Sequence, residues 1–197
     1  TVVTDNFPFT VLRNSLLQPA SNLVIFGDSL SDMGNGNDSA IVSVVFSSPP
    51  YWNGRFSNGP VWIEHISNSY GLSTTFGNGL SAGDNRAFGG SQTGQGYAYL
   101  TLPNVGTQIN NYLTNVQSNF TNSDIVFLWA GGNDFLYGTG NPDLISQNMA
   151  SHLRTLAYAG ASRFVVANLP PLELTPEGAS RSSPVSYTHL RAHETRP

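Results

Sequence analysis

The chain has 197 residues, a formal net charge of −4 and no cysteine, which excludes disulfides, thiolate metal sites and thiol catalysis. Charged residues make up 10% of it, against about 25% in an average soluble domain, and Lys and Arg never cluster, so a nucleic-acid surface is excluded too. No apolar run approaches the ~20 residues of a membrane span.

In chain order, Thr1 to Ser21 has no clear period and reads as an extended lead-in. Asn22 to Phe26 is apolar and closed by Gly27, the pattern of a buried parallel strand. Ser29 follows at the bend, either as a nucleophile aimed into a cleft or as a helix cap beside Asp28. Met33 to Tyr51 is loop-like, with a possible helical turn at Ala40 to Phe46. Tyr51 to Gly59 interleaves aromatic, Gly and polar residues, which suits a cleft lining or a packed loop.

Pro60 opens a helix to Tyr70, with Gly71 as its stop. Thr74 to Gly96 is mostly loop, with a short strand at Arg86 to Phe88. The Gly89-Gly90 pair after it either presents backbone N–H groups to a ligand or is an ordinary turn. A helix is expected from about Val105 to Asn119, a strand at Asp124 to Trp129, a helix at Pro142 to Tyr158 capped by Gly160, and a third buried strand at Ser162 to Asn168. Asn133 follows the second strand and offers either an amide donor or an Asn-Asp turn.

Strands alternating with helices imply a parallel sheet covered on both faces. Sites in such sheets form at the carboxyl ends of the strands, where Ser29, Asn133 and Asn168 lie. The chain shows no internal repeat and no linker to a second domain.

The stretches FGDSLSDMGN, NGRFSNGPVW, NRAFGGSQTG and GGNDF occur in this order, followed by NLPPLELTP after the third strand. Each is commonplace alone. Together they resemble the long, lipase-like form of the GDSL esterase/lipase family, the SGNH hydrolases. That resemblance implies a three-layer α/β/α fold with a flavodoxin-like central parallel sheet. It also implies hydrolysis of carboxylic esters with no metal and no cofactor. Ser29 matches the family nucleophile; its own N–H, the N–H of Gly90 and the side chain of Asn133 match the oxyanion donors, with Gly89 as the alternative to Gly90. Small-molecule, lipid or acylated-carbohydrate esters are the implied substrates. The resemblance and a surface rich in Asn, Ser, Thr and Gly imply an extracellular protein, although no signal peptide is visible.

The family draws its Asp and His from one Asp-x-x-His motif. Here the residues three positions before His65, His152, His189 and His193 are Trp62, Met149, Ser186 and Leu190, so the motif is absent. His65 and His152 read as surface or partly packed side chains, the latter on the polar side of its helix. From near Arg181 the chain has no period and no apolar face, and it resembles translated sequencing-adaptor read-through. The expected division is a lead-in at 1–21, an SGNH domain at 22–180 that is incomplete at its C-terminus, and a non-native tail at 181–197. His189 and His193 then belong to the tail, and their H-x-x-x-H spacing is rejected as a zinc site for want of accompanying carboxylates. A 197-residue chain without the base should hydrolyse esters poorly. The competing reading is a non-catalytic carbohydrate- or lipid-binding module that uses Tyr51, Trp52, Phe56 and Tyr97 as an aromatic surface.

Overall fold

The computed structural model describes residues 20–38, 49–75, 83–99, 101–115 and 120–180. The lead-in to residue 19, the proposed turn at Ala40 to Phe46 and the tail with His189 and His193 lie outside the described residues.

Strand β1 (Asn22–Gly27) has five consecutive buried residues, Leu23 to Gly27. Alternate side chains on a strand point to opposite faces. Leu23 and Ile25 therefore join one apolar cluster, and Val24 and Phe26 join the other. The first cluster contains Val61 and Ile63 and packs against Trp62 and Ile66, so helix α1 (Trp62–Tyr70) covers that face. Glu64 reaches back to accept from the Val61 N–H at 2.8 Å and satisfies one of the orphan donors of the first turn. Gly71 ends α1 at φ 64°. A two-stranded hairpin follows, β2 (Tyr97–Ala98) with β3 (Leu102–Pro103).

The second cluster takes Val105, Ile109 and Tyr112 from α2 (Val105–Asn115). The expected helix reached Asn119, and its last four residues, 116–119, lie outside the described residues. Strand β4 (Asp124–Trp129) pairs parallel to β1 from Asn22↔Asp124 to Gly27↔Trp129. A short helix that the sequence pattern did not signal, α3 (Gly132–Tyr137), follows it. Helix α4 (Pro142–Tyr158) is capped by Asn141, whose Oδ1 accepts from the N–H groups of Asp143 and Leu144. It lays Leu156 on the same face of the sheet as α2.

Strand β5 (Phe164–Val166) pairs with β4, giving the order β1-β4-β5. It is shorter than the expected Ser162 to Asn168 and is not buried: Val166 is 45% exposed. Phe164 and Val165 are partly buried, one against each apolar cluster. On the other side of β1, residues 84–88 run as a parallel extension: the N–H groups of Arg86 and Phe88 donate to Ile25 and Gly27. The expected strand there is thus present as a ladder of single bonds. A 3-10 turn (Leu172–Leu174) and α5 (Pro176–Ser180) close the described chain. Helices on both faces of a parallel sheet make this a three-layer α/β/α protein.

Candidate active site

The carboxyl ends of β4, β1 and the 84–88 segment lie side by side, because their backbones are hydrogen-bonded neighbours. Ser29, Gly90 and Asn133 each follow one of these ends within a few residues.

After Gly27 the chain turns: Asp28 Oδ1 accepts from the Leu30 N–H at 3.0 Å, and its carbonyl accepts from Ser31 at 3.1 Å. Helical turns resume only at the 3-10 segment Asn35–Asp38, so Ser29 caps no helix. Its side chain is partly exposed, while Ser31 and Asp32 beside it are fully buried. Burial pushes the Asp28 carboxyl up to about 6; the Leu30 N–H opposes the shift, and the nearby Asp134 carboxylate adds to it.

Side chains staple this turn to its neighbours. Asn35 Nδ2 donates to the carbonyls of Asn85 and Ala87, both at 2.9 Å, and Asn85 Nδ2 donates back to the Ser31 carbonyl at 2.8 Å. Gln108 on α2 accepts from the Gly27 N–H through Oε1, at 3.1 Å. Its Nε2 lies 2.9 Å from each of the Gly27 carbonyl, Ser91 Oγ and the Pro103 carbonyl. All three of these stapling side chains are buried, and sequence periodicity gave no sign of their partners, up to 81 positions away.

In the Gly pair, the Gly89 N–H donates to Asp32 Oδ2 at 2.9 Å. The N–H of Gly90 makes no hydrogen bond among the described residues. Gly90 has φ 78°, a conformation that favours glycine, and a Cβ there would lie 2.4 Å from the edge of the exposed Tyr99 ring. A Cβ on Gly89 would lie 2.0 Å from Phe56. Phe56 packs on the Phe88–Leu102 cluster. It is therefore not part of an open aromatic surface. Trp52 and Tyr97 are exposed, with the Arg55 guanidinium 5.0 Å from the Trp52 ring.

Asn133 sits in the first turn of α3 and donates one N–H of its amide to the Ser91 carbonyl at 2.9 Å. Next to it, Asp134 accepts from the Thr93 hydroxyl at 2.6 Å and the Thr93 N–H at 3.0 Å. Burial raises the Asp134 pKa, and the Thr93 contacts pull it down. His152 is also part of this cluster. It is buried rather than on a polar face, and its Nε2 lies 2.6 Å from the Thr93 carbonyl. A carbonyl can only accept, so Nε2 carries the proton. Burial lowers the His152 pKa, against the opposing effect of that carbonyl. His65 is exposed on α1, as read from the sequence. Among the described residues no group of three or more His, Cys, Asp or Glu side chains could hold a metal, and no helix is long and apolar enough to cross a membrane.

The fold defines an α/β protein with a parallel sheet, and the strand-end cluster is a candidate site at its carboxyl edge. The chain belongs to the GDSL-like Lipase/Acylhydrolase family, whose model matches residues 23–195. It is 32% identical over 181 residues to a phosphatidylcholine-sterol acyltransferase of Aeromonas hydrophila, covering 89% of this chain and 52% of that protein. It is 33% identical over 173 residues to a thermolabile hemolysin of Vibrio parahaemolyticus, covering 84% and 38%. Identity to a GDSL esterase/lipase of Arabidopsis thaliana is 28% over 212 residues, covering 84% and 58%. The chain thus spans about half the length, or less, of the first two of these relatives.

Proposed function

We propose that this domain serves carboxylic ester hydrolysis, with Ser29 as the nucleophile. The N–H groups of Ser29 and Gly90 and the amide of Asn133 form the oxyanion pocket. The observation that carries the reading is the Asn133–Ser91 bond. It fixes the amide on the segment that bears Gly90 and leaves its second N–H to donate. Donors held before the reaction act at no reorganisation cost, which is what stabilises a tetrahedral oxyanion. Ser29 Oγ attacks the ester carbonyl and loses its proton to a base, the alcohol leaves, and water releases the acid from the acyl-serine.

In this reading the base is not among the described residues. No Asp-x-x-His occurs in the sequence, His65 stands exposed on α1, and His152 is buried against the Thr93 carbonyl. The substrate is a small-molecule, lipid or acylated-carbohydrate ester, and the chemistry needs no cofactor. The Aeromonas relative is a phosphatidylcholine-sterol acyltransferase, which favours a lipid ester. An extracellular setting suits the low content of charged residues, 10%.

A fluorophosphonate probe tests the reading. Slow labelling at Ser29, lost in Ser29→Ala and accelerated when a segment bearing Asp-x-x-His is restored, is the expected result. Labelling that persists in Ser29→Ala, or none with the restored segment, would sink it and leave the binding-module reading, which rests on the exposed Trp52 and Tyr97. In the restored protein, Asn133→Ala should lower kcat by roughly 10²–10³.

A further inference from the structure

Asp32 is fully buried, and its contacts are backbone N–H groups. Oδ1 accepts from Gly34 at 2.8 Å and Asn35 at 2.6 Å. Oδ2 accepts from Gly36 at 3.3 Å and from Gly89, 57 residues away in the chain, at 2.9 Å. Closing the local turn needs one acceptor, and a short amide or hydroxyl side chain provides that. The second oxygen is what reaches the Gly pair. An asparagine would present an NH2 group to the N–H donors of Gly36 and Gly89, donor against donor.

The Gly pair is confined on three sides. Asp32 holds the Gly89 N–H, the Phe56 ring fills the space where a Gly89 Cβ would stand, and the Tyr99 ring does the same at Gly90. The same stretch of chain that carries Asp32 also carries Asn35, which grips the carbonyls of Asn85 and Ala87. The serine turn and the Gly pair are therefore tied together, and the Asp32–Gly89 bond flanks Gly90 on one side as the Gln108 bridge from Gly27 to Ser91 flanks it on the other.

We propose that Asp32 is a positioning residue for ester hydrolysis: by holding the Gly89 N–H it sets the direction of the Gly90 N–H relative to Ser29. This rests on the reading of Ser29 and Gly90 given above. Burial also pushes the Asp32 carboxyl up to about 7, against the pull of its four N–H contacts. A proton on Oδ2 would confront the Gly89 donor and loosen the clamp. The groups facing Asp32 are backbone amides, and the neighbouring carboxyl, Asp28, is engaged with the Leu30 N–H.

The test is Asp32→Asn, isosteric with the native side chain, followed by two readouts. Hydrogen exchange at the Gly89 amide should rise at least tenfold while the β1 and β4 amides keep their protection. The bond-forming step of Ser29 phosphonylation should fall roughly tenfold to a hundredfold, with the probe's binding constant unchanged. Uniform loss of protection across the sheet, with labelling falling in proportion, would reduce Asp32 to a fold brace and overturn the proposal. So would labelling at the native rate once Gly89 has been freed. Absence of Ser29 labelling in the unaltered protein is a different outcome, because it removes the reading of Ser29 itself. If the variant does not fold, the unaltered protein still decides: the Gly89 amide, held by Asp32 at 2.9 Å, should exchange as slowly as the β1 and β4 amides, and fast exchange at Gly89 overturns the clamp.

Discussion

The carboxyl ends of β1 and β5 belong to one sheet and are built in opposite ways. At β1 the strand is 0–1% exposed from Leu23 to Phe26, and the turn beyond it is tied by Asp28, Asp32, Asn35, Asn85 and Gln108. At β5 Val166 is 45% exposed, and Leu174 beyond it is 77% exposed. Apolar burial fixes how much a strand contributes to stability, but it is non-directional. Directional bonds from buried polar groups fix where a strand end points. Such bonds tie the turn after β1, where the candidate site lies.

The contrast can be broken most forcefully from within. Phe26→Ala empties a fully buried position packed edge-to-face on Tyr112, with ring centroids 5.5 Å apart. It should cost about 3–5 kcal/mol in denaturant unfolding. Gly27→Ala puts a Cβ 2.4 Å from the Trp129 carbonyl, a backbone atom that cannot swing aside. A loss of about 1–3 kcal/mol is expected, together with displacement of the serine turn visible as slower Ser29 labelling. Thr93→Val removes the hydroxyl donor to Asp134 and should cost about 1–3 kcal/mol, because a buried carboxyl is left a bond short.

A pH series sharpens the comparison further. The folded pKa values of Asp28 and Asp32 stand above the ordinary 3.8, at about 6 and about 7. The folded state then binds more protons than the unfolded one between these limits, so their contribution is full below about 3.8 and is lost as pH rises to about 7. Asp28→Asn should gain stability relative to the native protein as pH rises from about 4 to about 6. A difference that stays constant across that range would contradict the burial of Asp28. At the other end of the sheet, Leu174→Ser should shift stability by no more than about 0.5 kcal/mol.

The apolar framework was legible in the sequence because each element buries a periodic face. Strand Asp124–Trp129 and helix Pro142–Tyr158 match the expected bounds, and Asn141 with Pro142 marks the start of that helix chemically. Ser162 to Asn168 misled because three of its residues, Phe164, Val165 and Val166, read as core while only Phe164 and Val165 pack against the two clusters. Helix Gly132–Tyr137 went unseen because six residues hold too few turns for a period. His152 was assigned to a polar face because its partner, the Thr93 carbonyl, is 59 residues away. The same holds for the staples around Ser29: local chemistry suggested the candidate donors, but no local rule says that Asp32 takes Gly89 and leaves Gly90. The density of Asn and Asp in FGDSLSDMGN and NRAFGG was the available signal, since so many amides and carboxyls in apolar surroundings must pair with something.

The Trp62 indole has an optical consequence. Its N–H donates to Ser31 Oγ at 3.2 Å, and its ring meets that of Trp129 edge-on with centroids 5.5 Å apart. Of the three tryptophans in the chain, Trp52 alone is exposed and distant in character, leaning on Arg55. The other two form a coupled chromophore pair bonded to the residue two positions past Ser29. Their circular dichroism should carry an exciton signal that is sensitive to the serine turn. Occupation of the turn by an acyl or phosphonyl group could therefore be followed by light alone, without a reporter dye.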